Sequence, residues 1–304
     1  MAFSLPSKSA LVESLALVTT SEIEALVCEG QKAVQRANEP AVDEAVHETR
    51  KTIKRLRALL SLYDGALDHA ILASEDARLR ELGHSLGGAR DAAVLLESLE
   101  ALVQSAPRED RGRLADAMPA LSGALGGGSE SGVDETLGAL RAVHAALGAF
   151  AQRVSTLRVG RTGWSAIAPG FRRVYAQGRN ALEGALRRPS EKRLHAFRIR
   201  VKRHQYHLAL LEPLWPEPIK GLRHEVQRLG ELLGQDHDLF MLERRVAALR
   251  GRPELVELER PFRRAAESRH GAFQREAFEL GARVYAESPR RLAGRFREYF
   301  DAWS

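Results

Sequence analysis

Residues 47–55 read His-Glu-Thr-Arg-Lys-Thr-Ile-Lys-Arg, and residues 195–203 read His-Ala-Phe-Arg-Ile-Arg-Val-Lys-Arg. Both are H-x-x-R-x-x-x-K-R, and the two copies stand 148 residues apart. Around the first copy, Val42, Val46, Ile53, Leu56, Leu60 and Tyr63 recur at the spacing that gathers apolar side chains on one face of a helix. His47, Arg50, Lys54 and Arg57 form a second stripe, displaced by one residue and hence by about 100° around the axis. In the second copy Leu194, Phe197, Val201, Leu208 and Leu211 keep the apolar register, and His195, Arg198, Lys202 and Gln205 keep the polar one. Two departures stand out: Gln205 replaces an arginine, and His204 occupies the core position held by Leu56. Cations that border an apolar stripe are placed to face a groove between packed bundles. A helix that merely displays charge to water puts it on the far side.

The register extends beyond the motif. Upstream, Gly30, Ala33 and Val34 pair with Gly178, Ala181 and Leu182. Downstream, slipped by one residue, Leu82-Gly83 and Leu86-Gly87 pair with Leu229-Gly230 and Leu233-Gly234, followed by Arg90-Asp91 against His237-Asp238. The chain is a tandem duplication of halves 1–159 and 160–304, each long enough for a core of its own. Helical spacing covers 8–37, 41–64, 68–86, 89–104, a shorter stretch near 108–122, and 134–158. In the second half it covers 164–187, 190–212, 217–233, 236–250, 253–287 and 289–303. Pro40, Pro107, Pro189, Pro216, Pro253 and Pro289 fall at or just before expected helix starts, where the missing N–H costs nothing. Gly126-Gly127-Gly128-Ser129 reads as a loop. The glycines of the L-G-x-x-L-G segments are expected to permit close helix approach, with Gly87 and Gly234 then serving as C-terminal caps. Asp91 and Asp238 would then sit in the first turn of the next helix, or orient an arginine such as Arg50 or Arg198. Short connections between helices favour antiparallel bundles, so the fold class is all-α.

At 28% charged and 44% hydrophobic, the composition is that of a globular chain, and no apolar run reaches the roughly 18 residues of a membrane span. Residues 1–20 carry no export-signal pattern, and Cys28 stands alone, so a cytoplasmic setting is expected. Cys28, beside Leu26 and Val27, reads as a small buried residue. The formal net charge of +6 is unevenly distributed. Residues 1–159 hold 17 Lys and Arg against 22 Asp and Glu, whereas residues 160–304 hold 29 against 18. The cationic excess points to polyanions without choosing among nucleic acid, anionic membrane and phosphate polymers.

Catalytic signatures are absent: the chain has no G-x-x-x-x-G-K-[ST] loop, H-E-x-x-H pair, G-x-S-x-G elbow or recognisable carboxylate pair. Metal binding is disfavoured because His47 and His195 are far apart in sequence and Asp236-His237-Asp238 lacks i,i+4 spacing. A histidine beside arginines can instead donate to a phosphate oxygen, more strongly when protonated.

The doubled motif, each copy followed by L-G-x-x-L-G, resembles the conserved-histidine α-helical domain (CHAD) family from about Val12 to Phe300. The resemblance implies two pseudo-symmetric helical bundles around a central basic channel that binds inorganic polyphosphate, often at polyphosphate granules. It carries over His47, Arg50, Lys51, Lys54 and Arg57 from the first motif and His195, Arg198, Lys202 and Arg203 from the second. Arg172, Arg173 and Arg179, from the R-R-x-Y-x-x-G-R stretch, are expected as further wall residues; Gln31 and Lys32 make the matching region of the first half less basic. Some relatives fuse this domain to a triphosphatase with an E-x-E-x-K strand. Here Glu22-Ile23-Glu24 is followed by Leu26 where the lysine should stand, so a stand-alone, non-catalytic binding module is expected, without cofactor.

A linear phosphate polymer presents charge and oxygen in every unit but no bases, so its receptor needs rows of Arg and Lys without stacking platforms. Aromatic residues are 6% and are not interleaved with the basic stripes, which disfavours single-stranded nucleic acid. The polyphosphate reading leads. An enzyme or regulator acting on phosphate polymers or phosphorylated small molecules, and a nucleic-acid-binding protein, remain as alternatives; the sequence names no protein partner.

Overall fold

The structure is a computed structural model that describes residues 3–6, 11–36, 39–86, 91–126, 133–249 and 257–303. Among these residues it is all-α, with helices α1 (Leu11–Arg36), α2 (Glu39–Leu62), α3 (His69–His84), α4 (Asp91–Ser105), α5 (Arg108–Asp116) and α6 (Met118–Gly126). They are followed by α7 (Val133–Ser155), α8 (Trp164–Arg187), α9 (Glu191–Leu211), α10 (Pro216–Ala248), α11 (Glu259–Val284) and α12 (Pro289–Ala302). The motif helices are α2 and α9.

Local chemistry accounts for several boundaries. The Asp68 carboxylate accepts the N–H groups of Ala70 and Ile71 at 2.8 and 3.2 Å and starts α3. Ser190 and Ser288 cap α9 and α12, the latter just ahead of Pro289 at the first helical position. Near 108–122 there are two short helices, α5 and α6, in place of the one expected. Pro119 cannot donate to the helix behind it, and the chain breaks at Ala117.

A larger departure concerns 217–250, expected as two helices and found as the single α10. Gly234 therefore caps nothing, and Asp238 lies in a helix interior. Gly87 and Pro253 lie outside the described residues, as do Gly127, Gly128 and Ser129, whereas Gly126 ends α6. Cys28 is exposed, not buried. It follows Leu26 by two residues, about 200° around the axis from the face that Leu15, Val18 and Leu26 bury.

Helix α1 packs on α2 and α7, α8 on α9 and α12, and α10 on α9 and α11, while α2 lies against both α8 and α9. The larger hydrophobic cluster runs through Leu56, Leu59 and Tyr63 of the first half and Phe171, Phe197 and Leu208 of the second. A smaller one joins Leu99, Leu102, Leu114 and Leu121 to Leu239, Leu242 and Phe262. Both clusters take residues from either side of the 156–163 connection between α7 and α8. The chain start adds another tie: the Leu5 N–H donates to the Leu210 carbonyl at 3.0 Å, and Phe3 lies edge-on to Tyr206.

The crossing of α2 and α8 is closest at Gly170. A Cβ built there would lie 2.2 Å from the Leu62 carbonyl oxygen and 2.3 Å from that of Ser61. Next to it, Pro169 packs on Gly65, which turns the chain beyond α2 at φ +106°. The repeated glycines Gly30 and Gly178 make comparable space, for the His144 ring and the Tyr285 ring respectively.

Buried imidazoles make the fold sensitive to pH. His204 is fully buried among Phe171, Tyr175 and Tyr285, as its alignment with Leu56 implies, and neither ring nitrogen has a hydrogen-bond partner among the described residues. His207, also buried, reaches from α9 to α2: its Nε2 is 2.9 Å from both the Ser61 hydroxyl and the Ala58 carbonyl. Desolvation depresses each to about 3. His270 is the opposite case. Burial opposes its charge, but Asp236 at 2.7 Å and Glu243 at 3.1 Å raise it to about 9.

Two predictions follow from this packing. Gly170→Ala should destabilise the protein by about 2 kcal/mol or more, because the obstructing atoms are backbone. Gly184→Ala, in the same helix with nothing within 4 Å, should stabilise it by about 0.5 kcal/mol, and chemical denaturation of both variants checks the contrast. Stability should also peak near pH 6.5. Below that value the unfolded chain protonates His204 and His207 while the folded one does not, costing about 1.4 kcal/mol per pH unit for each until their folded values are reached. Above it the His270 contribution, complete below the unfolded value, disappears as pH rises through about 9. Thermal unfolding across pH 4–10 measures both limbs, and His204→Leu should make the acid one shallower.

Candidate functional site

Helix α9 carries cations on both edges of its apolar stripe. At about 100° per residue, His195, Arg198 and Lys202 border one edge, whereas Arg200, Arg203 and His207 border the other. The two edges meet different neighbours.

Arg200 and Arg203 point to the meeting of α2, α3, α8 and α9. There Arg57 of α2 donates through Nε and Nη2 to the two carboxylate oxygens of Asp76 on α3, at 2.9 and 2.8 Å. Arg203 Nη2 approaches the same carboxylate at 3.6 Å. Arg173 of α8 pairs with Asp64, just beyond the end of α2. Burial lowers Arg203 to about 10, against the pull of Asp76 and with Arg57, Arg200 and Arg173 adding to the depression. Arg200 is lowered chiefly by burial and next by Arg173. Burial alone would raise Asp76, but Arg57, Arg203 and Arg80 together hold it below the usual carboxylate value. Guanidinium groups from both motif copies thus share one carboxylate.

The other edge of α9 faces α10. A Cβ on Gly230 would lie 3.1 Å from Lys202 Cε, and one on Gly234 would lie 3.5 Å from Arg198 Nε and Nη2. Close helix approach, expected of these glycines, is what they serve, and the side chains they admit are the motif cations. Beside them the His195 and His237 rings stand 4.5 Å apart. Their Nδ1 atoms and Arg198 Nε are buried without hydrogen-bond partners among the described residues. Burial is the largest cause lowering Lys202, His195 and His237, the last to about 4, and in each case Arg198 is next. The Lys202 ammonium reaches Gln205 at 3.3 Å.

The remaining expected residues are more dispersed. His47 and Arg50 are half-buried on α2, and Lys54 is exposed. Lys51 bonds both oxygens of Glu48, at 2.9 and 3.0 Å. Arg172 is exposed. Arg179 donates to the Glu287 carbonyl at 3.0 Å, in the α11–α12 connection, and is not drawn into either cationic group. Gln31 is exposed, and the Lys32 side chain lies outside the described residues. Three participants were not singled out as site residues from sequence: Arg200, His237 and Asp76. Arg200 has a visible signal, as an extra cation inside the second motif where the first has Thr52. Asp76 has none, since the positions 147 and 148 residues further on hold Arg223 and His224 and the repeat gives it no acidic counterpart.

No helix of the described residues is long and apolar enough to cross a membrane, and no group of three His, Cys, Asp or Glu among them could hold a metal ion. Chemically, the two edges of α9 present partly dehydrated cations and imidazole donors that an anion could neutralise. No curated protein matches the chain. A family model described as the CHAD domain matches residues 27–247, well over half of the sequence and including α2, α9 and nearly all of α10. The chain belongs to the CHAD-domain family.

Proposed function

We propose that this protein binds inorganic polyphosphate as a non-catalytic module. The observation that carries this reading is the convergence of Arg57, from the first motif copy, and Arg203, from the second, on the single carboxylate of Asp76, with Arg173 and Arg200 close by. Like charges gathered at partial burial repel one another, and a polyanion relieves that repulsion while a neutral substrate does not. Membership of a family known for polyphosphate binding supports the same ligand.

In this reading residues 1–159 and 160–304 are the two pseudo-symmetric halves of one CHAD domain, and the motif helices line a shared basic channel. His47, Arg50, Lys51, Lys54 and Arg57 form the wall from α2. His195, Arg198, Lys202 and Arg203 form the wall from α9, with Arg172, Arg173 and Arg179 contributed by α8. From His47 to Lys54 the row is about 10 Å long, enough to touch several phosphate units. A cytoplasmic protein with this capacity would associate with polyphosphate granules. The imidazoles serve as hydrogen-bond donors here, not as acids, bases or phosphoacceptors.

Affinity should rise with polymer length and fall steeply with salt. A ligand touching six cations would give a slope of roughly −4 in log K against log salt concentration, which titration at several ionic strengths measures. Nucleic acid at matched salt should bind more weakly. Tripolyphosphate binding as tightly as long chains, at equal site concentration, would point to a compact anion pocket. Steady release of orthophosphate by the pure protein would favour an enzyme.

Charge reversal tests the shared channel. Lys54→Glu and Lys202→Glu should each weaken binding of long polymer by about tenfold or more with helix content unchanged, and the double variant should bind least. If one variant abolishes binding while the other leaves affinity and stoichiometry untouched, the two walls do not form one site.

A further inference from the structure

We infer that Asp76 is a built-in competitor of the ligand, whose carboxylate occupies the anion position between the two motif helices and must be displaced before Arg57 and Arg203 can be used. The inference rests on the polyphosphate reading of the site. An ordinary structural ion pair matches one cation with one anion, but the Asp76 carboxylate meets Arg57 in a two-pronged bond, Arg203 at 3.6 Å, and the fields of Arg80 and Arg200 nearby. The cluster stays cationic with Asp76 in place.

The shape of the contact argues the same way. Two parallel N–H donors gripping two oxygens is how a guanidinium binds a carboxylate, and equally how it binds two oxygens of a phosphate group. The site is also reachable: the Asp76 side chain keeps 35% of its surface exposed, against 25% for Arg57 and 18% for Arg203. An anion arriving from solvent therefore meets the carboxylate before the deeper Arg203.

A tethered competitor acts at an effective concentration of roughly millimolar, set by its attachment to α3. A single phosphate or a short chain, offering little beyond these contacts, is held off at lower concentrations. A long polymer adds contacts along both helices and overcomes the same obstacle. Asp76 would thus set a threshold that keeps abundant small anions out while admitting the polymer.

The test measures binding of tripolyphosphate and of long polyphosphate to wild type, Asp76→Asn, Asp76→Ala and Asp76→Glu, with helix content followed by circular dichroism. Removing the charge should raise affinity for both ligands, on the order of tenfold, and bring tripolyphosphate from weak to readily measurable binding. Asp76→Glu, which keeps the charge, should behave as wild type. Weaker binding by folded Asp76→Asn and Asp76→Ala would make Asp76 a positioning residue for Arg57 and overturn the inference; so would unchanged affinity. Should both neutral variants fail to fold, the wild-type protein still decides the matter through the Arg57 Nε–H nuclear magnetic resonance signal. That signal should shift on saturation with tripolyphosphate if the carboxylate is displaced, and a signal unmoved at saturation would overturn the inference. If wild type does not bind long polyphosphate at all, the functional reading falls, independently of Asp76.

Discussion

Contact between the α8 backbone and the last turn of α2 holds the two halves of this molecule in place. Without a side chain on Gly170, α8 reaches the carbonyls of Ser61 and Leu62, and at the same turn His207 of α9 bonds Ser61 and Ala58. Three helices from two halves are thereby fixed within one turn of each other. Arg57 lies one turn before Ser61 on α2, and Arg203 one turn before His207 on α9. The cationic cluster is a geometric consequence of the crossing, so whatever loosens the crossing also disperses the arginines.

That arrangement is held against opposing forces. Burial disfavours the charges on Arg200, Arg203 and Lys202, and it keeps His204 and His207 neutral well below the ordinary histidine range. Apolar packing carries the imbalance, through a hydrophobic cluster that takes residues from either side of the 156–163 connection. His270 is held between Asp236 and Glu243, away from the α2–α9 crossing. Beside α9, polar atoms of His195, His237 and Arg198 are buried without partners among the described residues, as is Asp236 Oδ2 next to His270.

In the proposed role, such under-satisfied donors serve to hold an anion. Holding a phosphate chain asks for many fixed donors and an overall positive field, and neither a poised nucleophile nor a metal is needed. The two motif copies supply rows of these donors, and they differ from each other at a few positions. His204 replaces the apolar Leu56, Gln205 replaces Arg57, and Arg200 adds a cation that the first copy lacks. The acidic first half also contributes Asp76, a counter-charge for both copies.

Much of this was legible in the sequence because helical periodicity and duplication are local, repeating signals. The apolar and basic stripes, the all-α class and the burial of His204 could be read from residue spacing, and the doubled motif carried the resemblance to the family. The run from 217 to 250 could not be read correctly, because a glycine that ends a helix and one that admits a neighbour's side chain look alike until the neighbour is in place. Gly230 and Gly234 took their meaning from Lys202 and Arg198 on another helix. Asp76 stayed hidden for a similar reason: it belongs to no repeat, and only the folding of α3 against α2 and α9 brings its carboxylate between two arginines that lie 146 residues apart in sequence. Sequence determined which faces carry charge, since side-chain direction follows helical pitch. Tertiary structure decided which charges meet, since that depends on where the backbones can approach.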